Sequence, residues 1–174
     1  MYHQNNCNHS NCVTSTNESV RQTLSEMDWE RGIWNAAFSG DMDRIQLLID
    51  KARNPKDLVN NLDNAGYTAL HYAARNGHVK ICGILLSNGA HINAQTRSGK
   101  ATPLYKATAA DKEEVVEFLI KNGAQIDLQD ADGKTPLHKA VENKNHTIIQ
   151  LLLQACPALK NIKDNRGNLA IERC

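Results

Sequence analysis

Three groups of residues have side chains that could do chemistry. His71 and His138 each follow the leucine of a Thr-x-Leu-His stretch. A neutral imidazole donates from one ring nitrogen and accepts at the other, which suits acid–base work or metal binding. Either role needs a second reactive group at a fixed offset, and no cysteine or carboxylate recurs with the two histidines. Trp34 and Tyr105 stand at the matching places, which points instead to a ring joining neighbouring backbone groups. Cys7, His9 and Cys12, with His3 upstream, form a second group. They are zinc-capable, but Cys-x-His-x-x-Cys is not a familiar finger spacing, so a solvated tail is the default reading. Asp111, Glu113 and Glu114 form the third group, a carboxylate cluster. Negative charge opening a helix complements its dipole, which accounts for them without catalysis. No G-x-S-x-G, P-loop or G-x-G-x-x-G stretch occurs. The sequence therefore supports no enzyme and assigns no catalytic, cofactor-binding or metal residue.

The elements that must carry these residues are constrained by composition. The chain has 174 residues, 41 % of them apolar and only 5 % aromatic. Such a chain builds its core from Leu, Ile, Val and Ala, with few large anchors. Its formal net charge of +1 provides no overall field for nucleic acid or an anionic membrane. No window approaches the roughly 20 apolar residues needed to span a bilayer. The opening residues, MYHQNNCNHSNC, lack the basic start and apolar run of a secretory leader. Five scattered cysteines (Cys7, Cys12, Cys82, Cys156 and Cys174) make no disulfide framework. Reduced thiols and a cytoplasmic or nuclear location are the expectation.

Self-similarity sets the architecture. Residues 63–95, 96–129 and 130–163 are three copies of one unit, and 29–62 is a degenerate fourth. Residues 164–174 begin another copy and stop after about one helical turn, which either closes the stack or marks a fragment. Each unit opens with turn residues, as in Asp63/Gly66 and Asp130/Gly133, where Asp closes a local hydrogen bond and Gly takes positive φ. The extra residue of the 96–129 unit falls in this turn, at Lys100–Ala101. Thr68, Thr102 and Thr135 then cap a short helix whose first position suits Pro103 and Pro136. Ala73–Ala74 is small where that helix must approach a neighbour. A second helix carries apolar residues at helical spacing: Ile81, Ile84 and Leu85; Val115, Phe118 and Leu119; Ile148, Leu151 and Leu152. Asp111 and Lys144 replace the turn glycine Gly77, so positive φ there should cost of order 1 kcal/mol each.

The pattern resembles the ankyrin repeat. TALHYAARNGH and TPLHKAVENKN match its T-P-L-H-x-A signature, and the G-A-x-I-N ending matches as well. More narrowly, residues 22–41 and 156–170 resemble the small vertebrate family called ankyrin repeat domain-containing protein thirty-nine. The resemblance implies an all-α solenoid of helix-turn-helix units with short β-hairpin or turn fingers. It implies a non-catalytic scaffold or adaptor that binds a partner protein, with no small-molecule substrate, cofactor or membrane. It also marks Asn93, in LLSNGAHIN, as resembling the asparagine that asparaginyl hydroxylases modify on such repeats.

Outside the repeats, residues 1–15 are too polar to order themselves. Residues 16–28 read as a helix capping the first repeat, with Ser15 and Glu18 at capping-box spacing. The link between the first two repeats is longer than the others, and Asn54-Pro55 reads as a turn in a lengthened, projecting finger. A partner should be read by exposed residues that vary between repeats on the concave wall of fingers and first helices. The candidates are Phe38, Tyr67, Tyr72, Arg75, Arg97, Lys100, Lys106, Lys134 and Lys139. Their aromatics are the type that makes hot spots, and their cations give the wall a basic tilt. Tyr72 and Arg75 are expected to be exposed, so that their substitution leaves folding intact. A monomer is expected. Two alternative functions remain: a metal-dependent or nucleic-acid-associated regulator using the Cys/His tail, and a client-recruiting adaptor of a ubiquitin ligase.

Overall fold

The computed structural model describes residues 32–171. Helices α1 (Ile33–Ser39) and α2 (Met42–Lys51) form the first pair. The next pairs are α4 (Ala69–Asn76) with α5 (Val79–Ser87), and α6 (Pro103–Ala109) with α7 (Glu113–Lys121). The last is α8 (Pro136–Glu142) with α9 (His146–Ala155), followed by a 3-10 turn over Pro157–Asn161. First helices stack on first helices and second on second, so α4 packs between α1 and α6, and α5 touches both α2 and α7. The fingers between pairs are turns. Among the described residues the only bridge of β type joins Lys163 and Leu169. None of the described helices is long and apolar enough to cross a membrane.

The core follows from the repeated apolar spacing. Ile81, Leu85, Val115, Leu119, Ile148 and Leu152 are buried along the second helices, and Ala73 and Ala74 are fully buried where α4 meets its neighbours. Alanine there lets two helix backbones approach closely, and stacking covers an apolar face that one repeat would leave wet. Cys82 is fully buried on α5 and acts as a small hydrophobe, with burial pushing its thiol up to about 12.

Turn chemistry sets the spacing. Asp63 accepts from the backbone of Tyr67 through Oδ1 and from Gly66 through its carbonyl. Asp130 repeats this, accepting from Lys134 through Oδ1 and from Gly133 through its carbonyl. At the far end of the first helices, Asp111 and Lys144 do sit at φ 54° and 57°, where Gly40 and Gly77 sit at 83° and 88°.

The link between the first two repeats departs from the expected projecting turn. Residues Pro55–Asn60 form a further helix, α3, with Pro55 in its first turn and Asp57 favouring its N-terminal dipole. Val59 is fully buried, and Asn60 donates to the Gly89 carbonyl and accepts from the His91 backbone. An inserted segment that can bury a side chain and satisfy the next loop's backbone packs down instead of projecting.

Candidate interaction surface

The first-helix and finger face is built on a ladder of rings. Phe38, at the end of α1, meets Tyr72 of α4 edge-on, with ring centroids 6.2 Å apart. Tyr72 stacks on Tyr67 of the second finger at 5.4 Å. Lys106 of α6 continues the ladder: its ammonium donates to the Tyr67 hydroxyl at 2.8 Å and lies 4.8 Å from the ring centroid. That geometry combines a hydrogen bond with cation–π attraction. The ladder thus ties three successive repeats together, and Phe38 at its end is still 44 % exposed.

Tyr72 differs from its expected role. It is half-buried and packs against the core, and its hydroxyl donates to Asp63 Oδ2 at 2.5 Å. Removing the ring would strip contacts and a hydrogen bond, so Tyr72→Ala is expected to destabilise the fold. The reason is a register of two: Tyr72 on α4 and Asp63 at the finger base are brought together only when the finger folds back on its helix. Asp63 is the residue that sequence reasoning undervalued, since one carboxylate holds both the turn and the ring.

The basic tilt is real in only part of the wall. Arg75, Arg97 and Lys100 are exposed. Lys134 and Lys139 both bond Glu142, at 2.5 Å and 3.2 Å, so the fourth repeat is locally neutralised. Partial burial disfavours the Glu142 carboxylate, but hydrogen bonds from Lys134 and Lys139 outweigh this and hold it below its usual range. Lys100 sits at φ 47°, in the turn enlarged by the extra residue.

The histidines are scaffold. His71 is fully buried; its Nδ1 accepts from the Thr68 backbone N–H at 3.1 Å, and its Nε2 lies 3.0 Å from the Ala101 carbonyl. A carbonyl only accepts and an amide N–H only donates, so these partners select the neutral Nε2–H tautomer. His138 repeats the arrangement with Thr135 and Asn168. Trp34 does half of it, donating through Nε1 to the Asn61 carbonyl at 3.0 Å. Tyr105 uses its hydroxyl instead, on Asp130 of the next finger; burial, then that bond, raises its pKa. Among the described residues no group of three His, Cys, Asp or Glu side chains could hold a metal. The Cys7, His9, Cys12 and His3 cluster, the 1–15 tail and the 16–28 helix lie outside the described residues.

Comparison with known proteins agrees with this geometry. The family model for ankyrin repeats, in three copies, matches residues 5–96 and 95–164. The chain belongs to the ankyrin-repeat family. Ankyrin repeats mediate interactions between proteins and are generally non-catalytic. The chain is 52 % identical to human ankyrin repeat domain-containing protein 39 over 90 residues, which are 52 % of this chain and 45 % of that protein. Against the Bos taurus protein of the same name it is 61 % identical over 59 residues, 34 % of this chain and 30 % of the relative. It is also 31 % identical over 139 residues to human Rabankyrin-5, 74 % of this chain but 12 % of that protein. The matched stretches span less than half of each of these relatives.

Ankyrin stacking also engages several asparagine side chains between repeats. Asn76 donates to the Phe38 carbonyl at 2.6 Å, one repeat back. Asn143 reaches the Thr108 and Ala109 carbonyls and Asp111 Oδ1, again one repeat back. Asn93 accepts from the Gln125 backbone at 2.9 Å, one repeat forward, as Asn60 does from His91. These asparagines are inter-repeat stitches. Recurrence at one register position was the available signal, and Ala110 and Asp127 break it.

Proposed function

We propose that this chain is a non-catalytic scaffold or adaptor that grips a partner protein on the concave face of its first helices and fingers. The supporting observation is the ring ladder Phe38–Tyr72–Tyr67 with Lys106, which presents ring surface and cations from three rigidly tied repeats. Rigid display matters because a face already ordered loses little entropy on binding. The working compartment we assign is the cytoplasm or nucleus, where Cys82 and Cys156 stay as thiols.

Affinity capture with mass spectrometry identifies a partner, and variants of the face then test the reading. Phe38→Ala and Arg75→Ala suit this better than Tyr72→Ala, because both residues are exposed. Together they should weaken binding by about 2 kcal/mol or more, roughly thirtyfold in Kd. The unfolding midpoint should move less than it does for Tyr72→Ala. Wild-type affinity in the double variant would place the interface elsewhere.

Asn93 is proposed as a hydroxylation site. Its side chain is engaged with the Gln125 backbone, so an enzyme reaches its Cβ when the loop that carries Gln125 peels away from the loop that carries Asn93. Mass spectrometry of the peptide from oxygen-replete cells should show a single added oxygen at Asn93. An unmodified peptide there would rule the site out.

A further inference from the structure

We infer that the first-helix face selects an acidic protein segment carrying one aromatic or aliphatic anchor. The anchor seats on Phe38 and Tyr72, and the carboxylates pair with Arg75, Arg97 and Lys100. This rests on the interaction reading above and adds the chemistry of the partner.

Charge on the face is uneven. In the fourth repeat Lys134 and Lys139 are occupied by Glu142, and exposed Asp132 adds a further negative charge. In the second and third repeats Arg75, Arg97 and Lys100 are exposed, and none has a carboxylate partner among the described residues. Lys106 adds a fourth positive charge, held by a phenol and a ring, both neutral. Asp63 lies among the rings, where its two oxygens accept from the Tyr67 backbone and the Tyr72 hydroxyl, and its charge offsets one of these four cations. The carboxylates Asp111, Glu113 and Glu114 belong to the other end of α6, about 10 Å from the fingers. The uncompensated charge is therefore positive, local, and centred on two repeats of a chain whose formal net charge is only +1.

The same centre provides the apolar seat. The Tyr72 hydroxyl is committed to Asp63, and the Tyr67 hydroxyl accepts from Lys106. Tyr67 and Tyr72 are each part-exposed, and Phe38 beside them is 44 % exposed. The Arg97 stem lies across Gly66, where an added Cβ would fall 2.5 Å from Arg97 Cγ. That contact anchors the stem of a guanidinium able to bind a carboxylate through two parallel hydrogen bonds. A phosphate backbone would want a continuous basic track, and Asp132 and Glu142 close this one at the fourth repeat. A short acidic stretch of protein matches both the length of the patch and its ring floor.

Fluorescence anisotropy on the full chain tests this with labelled synthetic peptides. One is rich in glutamate around a single phenylalanine; the others replace glutamate by glutamine or by lysine. The glutamate peptide should bind, should weaken as salt rises, and should lose about tenfold or more in affinity on Arg75→Glu/Arg97→Glu. Lys80→Glu/Lys160→Glu, the same charge change elsewhere on the surface, should leave it unchanged. Thermal melts of both variants check that they fold. If the glutamine peptide binds as tightly as the glutamate peptide, the face binds proteins without acidic selection, and this inference fails while the interaction reading stands. Equal losses in the two double variants, or no peptide binding at all, overturn it as well. A single-stranded RNA oligonucleotide that binds more tightly, with the same dependence on Arg75 and Arg97, would replace the acidic segment with nucleic acid. The interaction reading fails separately, if the captured partner ignores Phe38→Ala/Arg75→Ala.

Discussion

Lowering the pH from neutral to about 4 should cost the fold about 3 kcal/mol through His71 alone. Burial lowers this imidazole from 6.5 to about 4, and only weaker contributions oppose it, led by its bond to the Ala101 carbonyl. The hydrogen bond from Thr68 acts in the same direction as burial. A second ring proton would sit on Nδ1, facing the Thr68 N–H that now donates to it. Lys106 adds a small repulsion and Asp63 a smaller attraction. The folded pKa lies below the unfolded one, so the unfolded chain binds the extra proton between the two values. Stability is therefore full above about 6.5 and falls as the pH drops towards 4, with the loss levelling off below that. Each pH unit inside the window is worth roughly 1.4 kcal/mol. Carboxylates titrate near the bottom of the window, so the direct check is an NMR titration of the His71 ring. A His71 midpoint near 6.5 in the folded protein would refute the prediction. In urea denaturation, His71→Gln should be less stable than wild type at neutral pH, with a gap that narrows as the pH falls.

Gly133→Ala should destabilise the protein by about 3 kcal/mol, and Gly123→Ala by only about 1. Both glycines have positive φ, 75° and 85°, so a left-handed backbone costs roughly 1–2 kcal/mol at either position. Their neighbours differ. A Cβ on Gly123 would meet nothing within 4 Å, whereas one on Gly133 would fall 2.6 Å from the Asn165 backbone nitrogen. That nitrogen donates to the Asp132 carbonyl, and the Asn165 side chain donates to the Ala131 carbonyl. The added methyl would push the last finger off its neighbour, adding the roughly 1–3 kcal/mol of an overpacked contact. Urea midpoints of the two variants, compared at equal slope, measure the difference. Equal losses would mean that the fingers do not pack as described.

The repeat was legible because its signals are local. Thr caps, Pro at the first helical position, turn glycines and apolar residues at helical spacing each act within about one turn of chain, and each recurs in more than one copy of the unit. The buried positions Ile81, Leu85, Leu119 and Leu152 follow from that spacing. The role of His71 could be read too, because a residue that recurs with the repeat serves the repeat. A conformational penalty at Asp111 and Lys144 was legible for the same reason: the glycine they replace is a local requirement.

What needed the tertiary structure was pairing between repeats. Tyr72 and Arg75 look equivalent on one helix, yet Tyr72 is drawn into Asp63 and the core while Arg75 stays exposed. Lys134 and Lys106 look equally basic, yet one meets Glu142 and the other a tyrosine ring. Asn76 and Asn143 look like wall residues until their partners appear one repeat earlier. The link around Pro55 looks like a projecting loop until Val59 finds a core to enter. The sequence by itself determined the unit, its period and its buried stripe, since these depend on backbone propensity and periodicity. Only the stack decided which polar side chains remain available to a partner. Hydrogen bonds and ion pairs act over about 3 Å between groups some 30 residues apart, and neither composition nor spacing sets that distance.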